Sequence, residues 1–253
     1  MRYRDRCRAA LGGALVGAAL LAACAAPSER PGVPRSTLVM GLDVSGSFRG
    51  HYDEAIDFAA HYLYGHLNGL GELSQPSAVF VGSVGGERPG EAKSFQPIHA
   101  FENKSVEEIA DQLRELYPSE ESYTDFNVFF DRVATLVKRQ GLTLAPLNVV
   151  LLSDGVPDAT TGTEGTPYTQ IDLNPLEYLS RSVTVRLLYG SPTVSVNWER
   201  DVERNRVRMW TVDDEVMVGW REQKVEDVAM EEQEDLWRWV KDNVDFRVRS
   251  RRL

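Results

Sequence analysis

Cysteine is nearly missing from this chain of 253 residues: Cys7 and Cys24 are the two present, and both lie near the N-terminus. The remainder therefore has no disulfide framework to lean on. Histidine is almost as scarce, and His51, His61, His66 and His99 stand in no metal-ligand spacing such as H-E-x-x-H. There is no P-loop string, Ser45 and Ser47 do not sit in G-x-S-x-G, and Ser45 stands where a D-x-D phosphotransfer pattern would need its second Asp. These gaps argue against an enzyme. No stretch beyond the leader is long and apolar enough to span a bilayer, and no internal repeat occurs. Positive charge is also in deficit, with 28 Lys and Arg against 38 Asp and Glu, for a net charge of −10. So acidic a surface disfavours nucleic acid and suits divalent cations or a basic partner.

What is present begins with a leader. Arg2, Arg4, Arg6 and Arg8 form a basic n-region, and Ala9 to Ala22 is an Ala/Leu/Gly-rich run too short and wrongly flanked for a membrane span. It ends Leu21-Ala22-Ala23-Cys24, which resembles the bacterial lipobox. That resemblance implies a signal peptide over residues 1–23 and lipidation of Cys24 (palmitate among the acyl chains), with more than one chain giving a stable anchor. An ordinary signal peptide with an incidental Cys, or an uncleaved anchor, is the alternative. Ala25 after the Cys points to an outer membrane, facing the periplasm or the cell surface, if the cell has one. Removing residues 1–23 leaves 24 basic and 37 acidic residues, a net charge of −13. Residues 24–36, Pro-rich and polar, read as a semi-rigid tether.

The next stretch, Thr37 to Ser47, organises the rest. Leu38, Val39, Met40, Leu42 and Val44 read as a strand buried on both faces. It runs into Asp43, Ser45, Gly46 and Ser47, ahead of an apolar helical pattern. One carboxylate and two hydroxyls within five residues offer oxygen ligands of the kind a hard cation takes, Mg²⁺ first, with Mn²⁺ or Ca²⁺ as alternatives. Ser and Asp also gather at strand ends and helix caps for purely local reasons. Two further stretches bear on the choice: Leu147 to Gly155, a second buried-strand pattern ending in Asp154, and Ser122-Tyr123-Thr124-Asp125 before another helix.

Together these segments resemble the von Willebrand factor type A (vWA) domain family and its metal-ion-dependent adhesion site (MIDAS), over roughly residues 37–244. The family pattern is D-x-S-x-S after the first strand, a Thr before a middle helix and an Asp after the fourth strand. The matching residues are Asp43, Ser45 and Ser47, then Thr124, then Asp154. Where the family often has Gly before the Thr, this chain has Tyr123, and Ser122 is the alternative middle ligand. The resemblance implies direct ligation by the hydroxyls, with the Asp residues acting partly through water. An acidic side chain of a protein partner would complete the octahedron. It thus implies a membrane-anchored, non-enzymatic adhesion or scaffold module of the cell envelope. Two other readings remain: a metal-free vWA-like scaffold, and a Mg²⁺-dependent hydrolase in which the cation activates water or orients a phosphate.

The alternation of elements predicts an α/β fold: a doubly wound, mostly parallel sheet with helices on both faces, over residues 37–246. The resemblance adds six strands with one antiparallel edge. Helices are expected over 50–70, from the capping box at Ser105 to Pro118, from Thr124-Asp125 to Gly141, over 171–181 and over 226–246. Strands are expected over 77–83, 91–101 (an edge that tolerates Pro97), 147–153, 183–189 and 207–212, with a short edge strand at 216–220. Gly85, Gly86, Pro89 and Gly90 read as a turn. Asp154 to Gln170, with Asp158 and Glu164, is a long loop on the site's side of the sheet, either a recognition loop or a plain surface loop. His51 reads as a helix-start or surface residue that could also approach the site, the Trp residues of the last helix as core plugs and interface steps rather than a binding platform, and Arg247, Arg249, Arg251 and Arg252 as a basic tail over 247–253, a solvated end or a contact for anionic lipid or cell-wall polymer.

Overall fold

The computed structural model describes residues 36–85, 94–119, 123–158 and 165–246. The leader, Cys24 and the tether, Gly86 to Lys93, Ser122, Glu164 and the basic tail lie outside the described residues.

Six strands form one sheet: β1 (Thr37–Asp43), β2 (Ala78–Val84), β3 (Gln96–Pro97), β4 (Leu147–Leu152), β5 (Val183–Gly190) and β6 (Arg208–Asp213). Their spatial order is β3-β2-β1-β4-β5-β6, and every pairing is parallel except that of β2 with β3. The expected doubly wound α/β fold with one antiparallel edge strand is therefore what the chain adopts. The chain order reverses between β1 and β4, and that switch point is where open α/β sheets open a crevice beyond the strand ends.

Strand alternation sorts the apolar side chains into two cores. Leu38, Met40 and Leu42 join Val150 and Leu152 under α1 (Tyr52–Asn68), α2 (Val106–Leu116) and α7 (Glu234–Asn243). Val39, Val149, Leu151, Val185 and Leu187 face α3 (Phe126–Arg139) and α5 (Pro192–Asp201). Near-continuous apolar strands in the sequence are the result of covering both faces at once. Local signals fix the helix ends. Ser105 and Glu108 close a reciprocal capping box at α2, Asp125 accepts the Val128 N–H at α3, and Gly69 ends α1 in the left-handed region.

Four expectations are corrected. Of the edge strand expected over 91–101, the described residues 94–101 form strand only at Gln96–Pro97, because Pro97 brings no N–H and a 3₁₀ turn follows at Ile98–Ala100. The helix expected over 171–181 is the single turn α4 (Asn174–Glu177). An Asx turn from Asp172 to the Asn174 N–H and Pro175 at its start prevent extension backwards, and Ser180 bonds locally with Ser182. The strand expected over 216–220 is helical instead: α6 (Asp214–Met217) runs into a 3₁₀ stretch, Val218–Gln223. Its acidic first turn, Asp214-Glu215, suits a helix N-terminus, and Met217 and Trp220 are buried three residues apart. The closing helix begins only at Glu234. Ahead of it the buried Gln233 amide accepts the Val225 N–H and donates to the Val225 and Val228 carbonyls, holding that segment as a loop. Helix α5 was not expected at all, although Ser191 caps it and Pro192 opens it.

Candidate metal centre

All three predicted segments reach the same end of the sheet. Asp43 ends β1, Asp154 lies two residues past the end of β4, and Thr124 lies two residues before α3. Register places Leu42 against Leu152 and Asp43 against Val84, so the Asp43, Asp154 and β2 exits are neighbours at the switch point. Direct bonds tie them together. Asp43 Oδ2 accepts from Ser153 Oγ at 2.5 Å, and Asp43 Oδ1 accepts the Ser45 N–H at 2.9 Å. Asp158 Oδ2 accepts the Thr124 N–H at 2.6 Å, which fastens the loop after β4 to the segment before α3. Ser45 Oγ and Ser47 Oγ lie 3.1 Å apart, within hydrogen-bonding distance of each other.

Two glycines make this geometry accessible. Gly85, at φ +102, lies so close to the Tyr123 carbonyl that a Cβ there would stand 1.9 Å from its oxygen. The Thr124 segment can thus lie against the end of β2. Gly155, at φ +73, turns the chain just after Asp154, its N–H given to Ser153 Oγ and its carbonyl accepting from Trp198 Nε1 of α5 at 2.7 Å.

Burial and charge separate the donors. Asp43 is 1% exposed and Ser45 and Thr124 are buried, whereas Ser47 is exposed and Asp154 is half-buried. Burial pushes the Asp43 carboxyl up to about 6, against the lowering effect of its bonds to Ser153 and Ser45; the nearby Asp154 charge adds to the rise. Burial, these hydrogen bonds and the Asp154 charge are what move Asp43, and a hard cation bound here would supply a counter-charge. The donor set is oxygen only, two carboxylates and three hydroxyls, as Mg²⁺, Mn²⁺ or Ca²⁺ requires. Among the described residues no group of three or more His, Cys, Asp or Glu is placed to hold a metal.

Ser122 lies outside the described residues; Thr124 lies beside the end of β2. Tyr123 is 51% exposed beside it. His51 caps α1 and packs its ring 5.9 Å from Phe48 and 5.8 Å from Tyr189. Sequence reasoning missed Ser153, which bonds Asp43, and left Asp158 undecided between recognition and plain loop. A hydroxyl next to Asp154 at a strand's end was the available signal for Ser153.

No family model and no curated protein matches this chain. Among solved structures it is similar to proximal thread matrix protein 1 from the mussel byssus with a zinc-occupied MIDAS motif (13% identity, 81% of this chain and 47% of that one, TM-score 0.45). It is also similar to the pilus adhesin SpaC from Lactobacillus rhamnosus GG in its open conformation (13%, 83% and 30%, TM-score 0.46). The SpRpn10 VWA domain is a third (11%, 79% and 94%, TM-score 0.38). The chain spans about half the length of the mussel protein and under a third of the adhesin. At such identities and TM-scores the likeness says nothing about what this chain binds.

Proposed function

We propose that this chain is a divalent-metal-dependent protein-binding module, an adhesion or scaffold element held to the bacterial cell envelope by lipid on Cys24, and not an enzyme. The observation that carries the reading is the gathering of Asp43, Ser45, Ser47, Thr124 and Asp154 at the β1/β4 switch point, tied by the Ser153–Asp43 and Thr124–Asp158 bonds. Ser45, Ser47 and Thr124 would hold the cation through neutral oxygens, and Asp43 and Asp154 would supply charge. When bound, the metal supplies an electron-poor centre that takes an acidic side chain from a partner. Mg²⁺ keeps several exchangeable positions, so an outside oxygen can join its shell.

The chain's own residues prepare that event. Ser153 and the Ser45 amide hold the Asp43 carboxyl in place. Asp158 holds Thr124 beside the end of β2, and Asp154 is half-buried just before the turn at Gly155. The test is calorimetric titration of Mg²⁺ and Mn²⁺ into residues 36–253, which include both cores, beside Asp43→Ala. Saturable binding lost in the variant supports the reading, and capture of carboxylate-bearing partners should then vanish with chelator. No heat and no shift in Tm would leave a metal-free scaffold; metal-dependent turnover of a phosphoester would point to a hydrolase.

A further inference from the structure

The sheet has two edges, treated differently by the sequence. The β3 edge is two residues long and contains Pro97, the kind of blunted edge that resists pairing. The β6 edge is six residues, Arg-Met-Trp-Thr-Val-Asp, with neither Pro nor Lys, and among the described residues it pairs with β5 alone. Six residues extend about 20 Å.

A cleft of about 430 Å³ runs along this open edge, lined by Pro192, Ser195 and Val196 of α5, Trp210 to Asp213 of β6, Val216 of α6 and Asp242 and Asn243 of α7. Helices α5 and α7 cover opposite faces of the sheet, so the cleft wraps the edge instead of sitting on one face. Three large apolar side chains are left in water there: Val196 at 59%, Trp210 at 41% and Val216 at 43% exposure. Trp210 is braced edge-on against Phe246, ring centroids 4.6 Å apart. Val212 belongs to the α7-side core and Met209 to the α5-side core, so strand alternation puts Trp210 on the α7 side and Asp213 on the α5 side. Each face of the edge therefore carries an apolar group and a carboxylate: Trp210 and Asp242 on one, with Arg208 at the strand's start donating from Nη1 to Ser182 Oγ, and Val196 and Asp213 on the other, where Asp213 Oδ1 accepts from Ser195 Oγ. Asp214 and Glu215 open α6 directly after the strand, and none of the residues lining the cleft is basic.

We infer that β6 is a docking edge for an extended basic peptide of a partner protein, added to the sheet as a seventh strand. Main-chain hydrogen bonds to an open edge give such a strand its affinity, and alternate side chains give it specificity. Carboxylates on both faces select Arg or Lys at successive positions, and the exposed apolar groups accept the stems and neighbouring aliphatic residues. This edge is distinct from the candidate metal centre at the β1/β4 switch point.

The test uses the full chain in detergent micelles and a fluorescein-labelled hexapeptide of alternating Arg and Val, read by anisotropy at low salt. Saturable binding is expected, weakened at least tenfold by Trp210→Ala or Asp242→Lys, weakened by added salt and unchanged by Asp43→Ala. Both edge substitutions are at exposed positions, and an unchanged Tm verifies that each variant is folded. Equal binding of a Glu/Val peptide, no saturable binding, or full affinity in both edge variants would overturn the inference. So would sedimentation showing a dimer that Trp210→Ala dissolves. If only a chain cut after Phe246 binds the peptide, residues 247–253, with four Arg, already occupy the edge and the partner reading fails.

Discussion

Replacing Asp43 by Asn should make the metal-free protein more stable at neutral pH, because the buried carboxylate is a liability without a counter-ion. Its folded value of about 6 against an ordinary 3.8 corresponds to about 3 kcal/mol, at 1.36 kcal/mol per unit. The sign follows from proton binding. Between those two values the folded state holds more protons than the unfolded, so wild-type stability falls as pH rises through this window, and the full penalty stands above pH 6. The introduced amide would keep the acceptor for the Ser45 N–H but place an NH₂ against Ser153 Oγ, losing about 1 kcal/mol of hydrogen bonding. The net gain is about 2 kcal/mol, or about 4–8 °C in Tm for a domain of this size. The assay is paired thermal melts of wild type and Asp43→Asn in EDTA from pH 4 to 8, the difference between them isolating this one group. The variant should lead by that margin at pH 7.5 and lose its lead below pH 4. Added Mg²⁺ should raise the wild type only. A variant no more stable than wild type at pH 7.5, or a difference independent of pH, would refute the reasoning.

Other substitutions separate the site's scaffold from its donors. Gly155→Ala would put a Cβ 2.5 Å from Leu187 Cδ2 at φ +73, and should lower the free energy of urea unfolding by about 3 kcal/mol through strain and overpacking. Trp198→Ala should cost about 3–5 kcal/mol by the same measurement, since it empties a fully buried site and frees the Gly155 carbonyl. Thr124→Val should leave urea stability within about 1 kcal/mol while abolishing the calorimetric Mg²⁺ signal, because the backbone N–H that bonds Asp158 is retained. Asp125→Ala should cost about 1 kcal/mol by removal of the α3 cap and leave metal binding intact.

Much of the sheet was legible because burial on both faces writes itself as apolar runs. Leu38 to Leu42, Val79 to Val81 and Val149 to Leu152 carry no competing helical period, and capping residues at Ser105 and Asp125 marked the helices between them. The failures share a cause: the deciding partner lies far away or has no period. Gln233 unwinds the segment before α7 by bonding two backbone positions five to eight residues earlier, which no periodicity reports. The turn at Asn174–Glu177 is followed by a carboxylate ladder of the same kind, in which the buried Glu177 accepts the Asn205 and Arg206 N–H groups across 28 and 29 residues. Val216 to Trp220 reads as β-rich by composition, yet two acidic residues at its start and burial three residues apart favour a helix.

The candidate site shows the same division more sharply. D-x-S-x-S names donors, but the string alone does not distinguish a cation site from a strand-end cap. Ser45 does act as part of such a cap, its N–H closing on Asp43 Oδ1. Burial bears on the choice. A hydrated surface carboxylate would serve a cap as well, whereas Asp43 is enclosed, held by Ser153 and pushed up to about 6. A chain that wanted only a cap would gain stability by a neutral residue there. Keeping a desolvated carboxylate next to Asp154, with hydroxyls as its neighbours, makes physical sense when a cation arrives to share the charge. On the proposed reading the stability lost in the metal-free state would reappear as binding free energy, so the Asp43→Asn melts and the Mg²⁺ titration would measure one property from opposite sides.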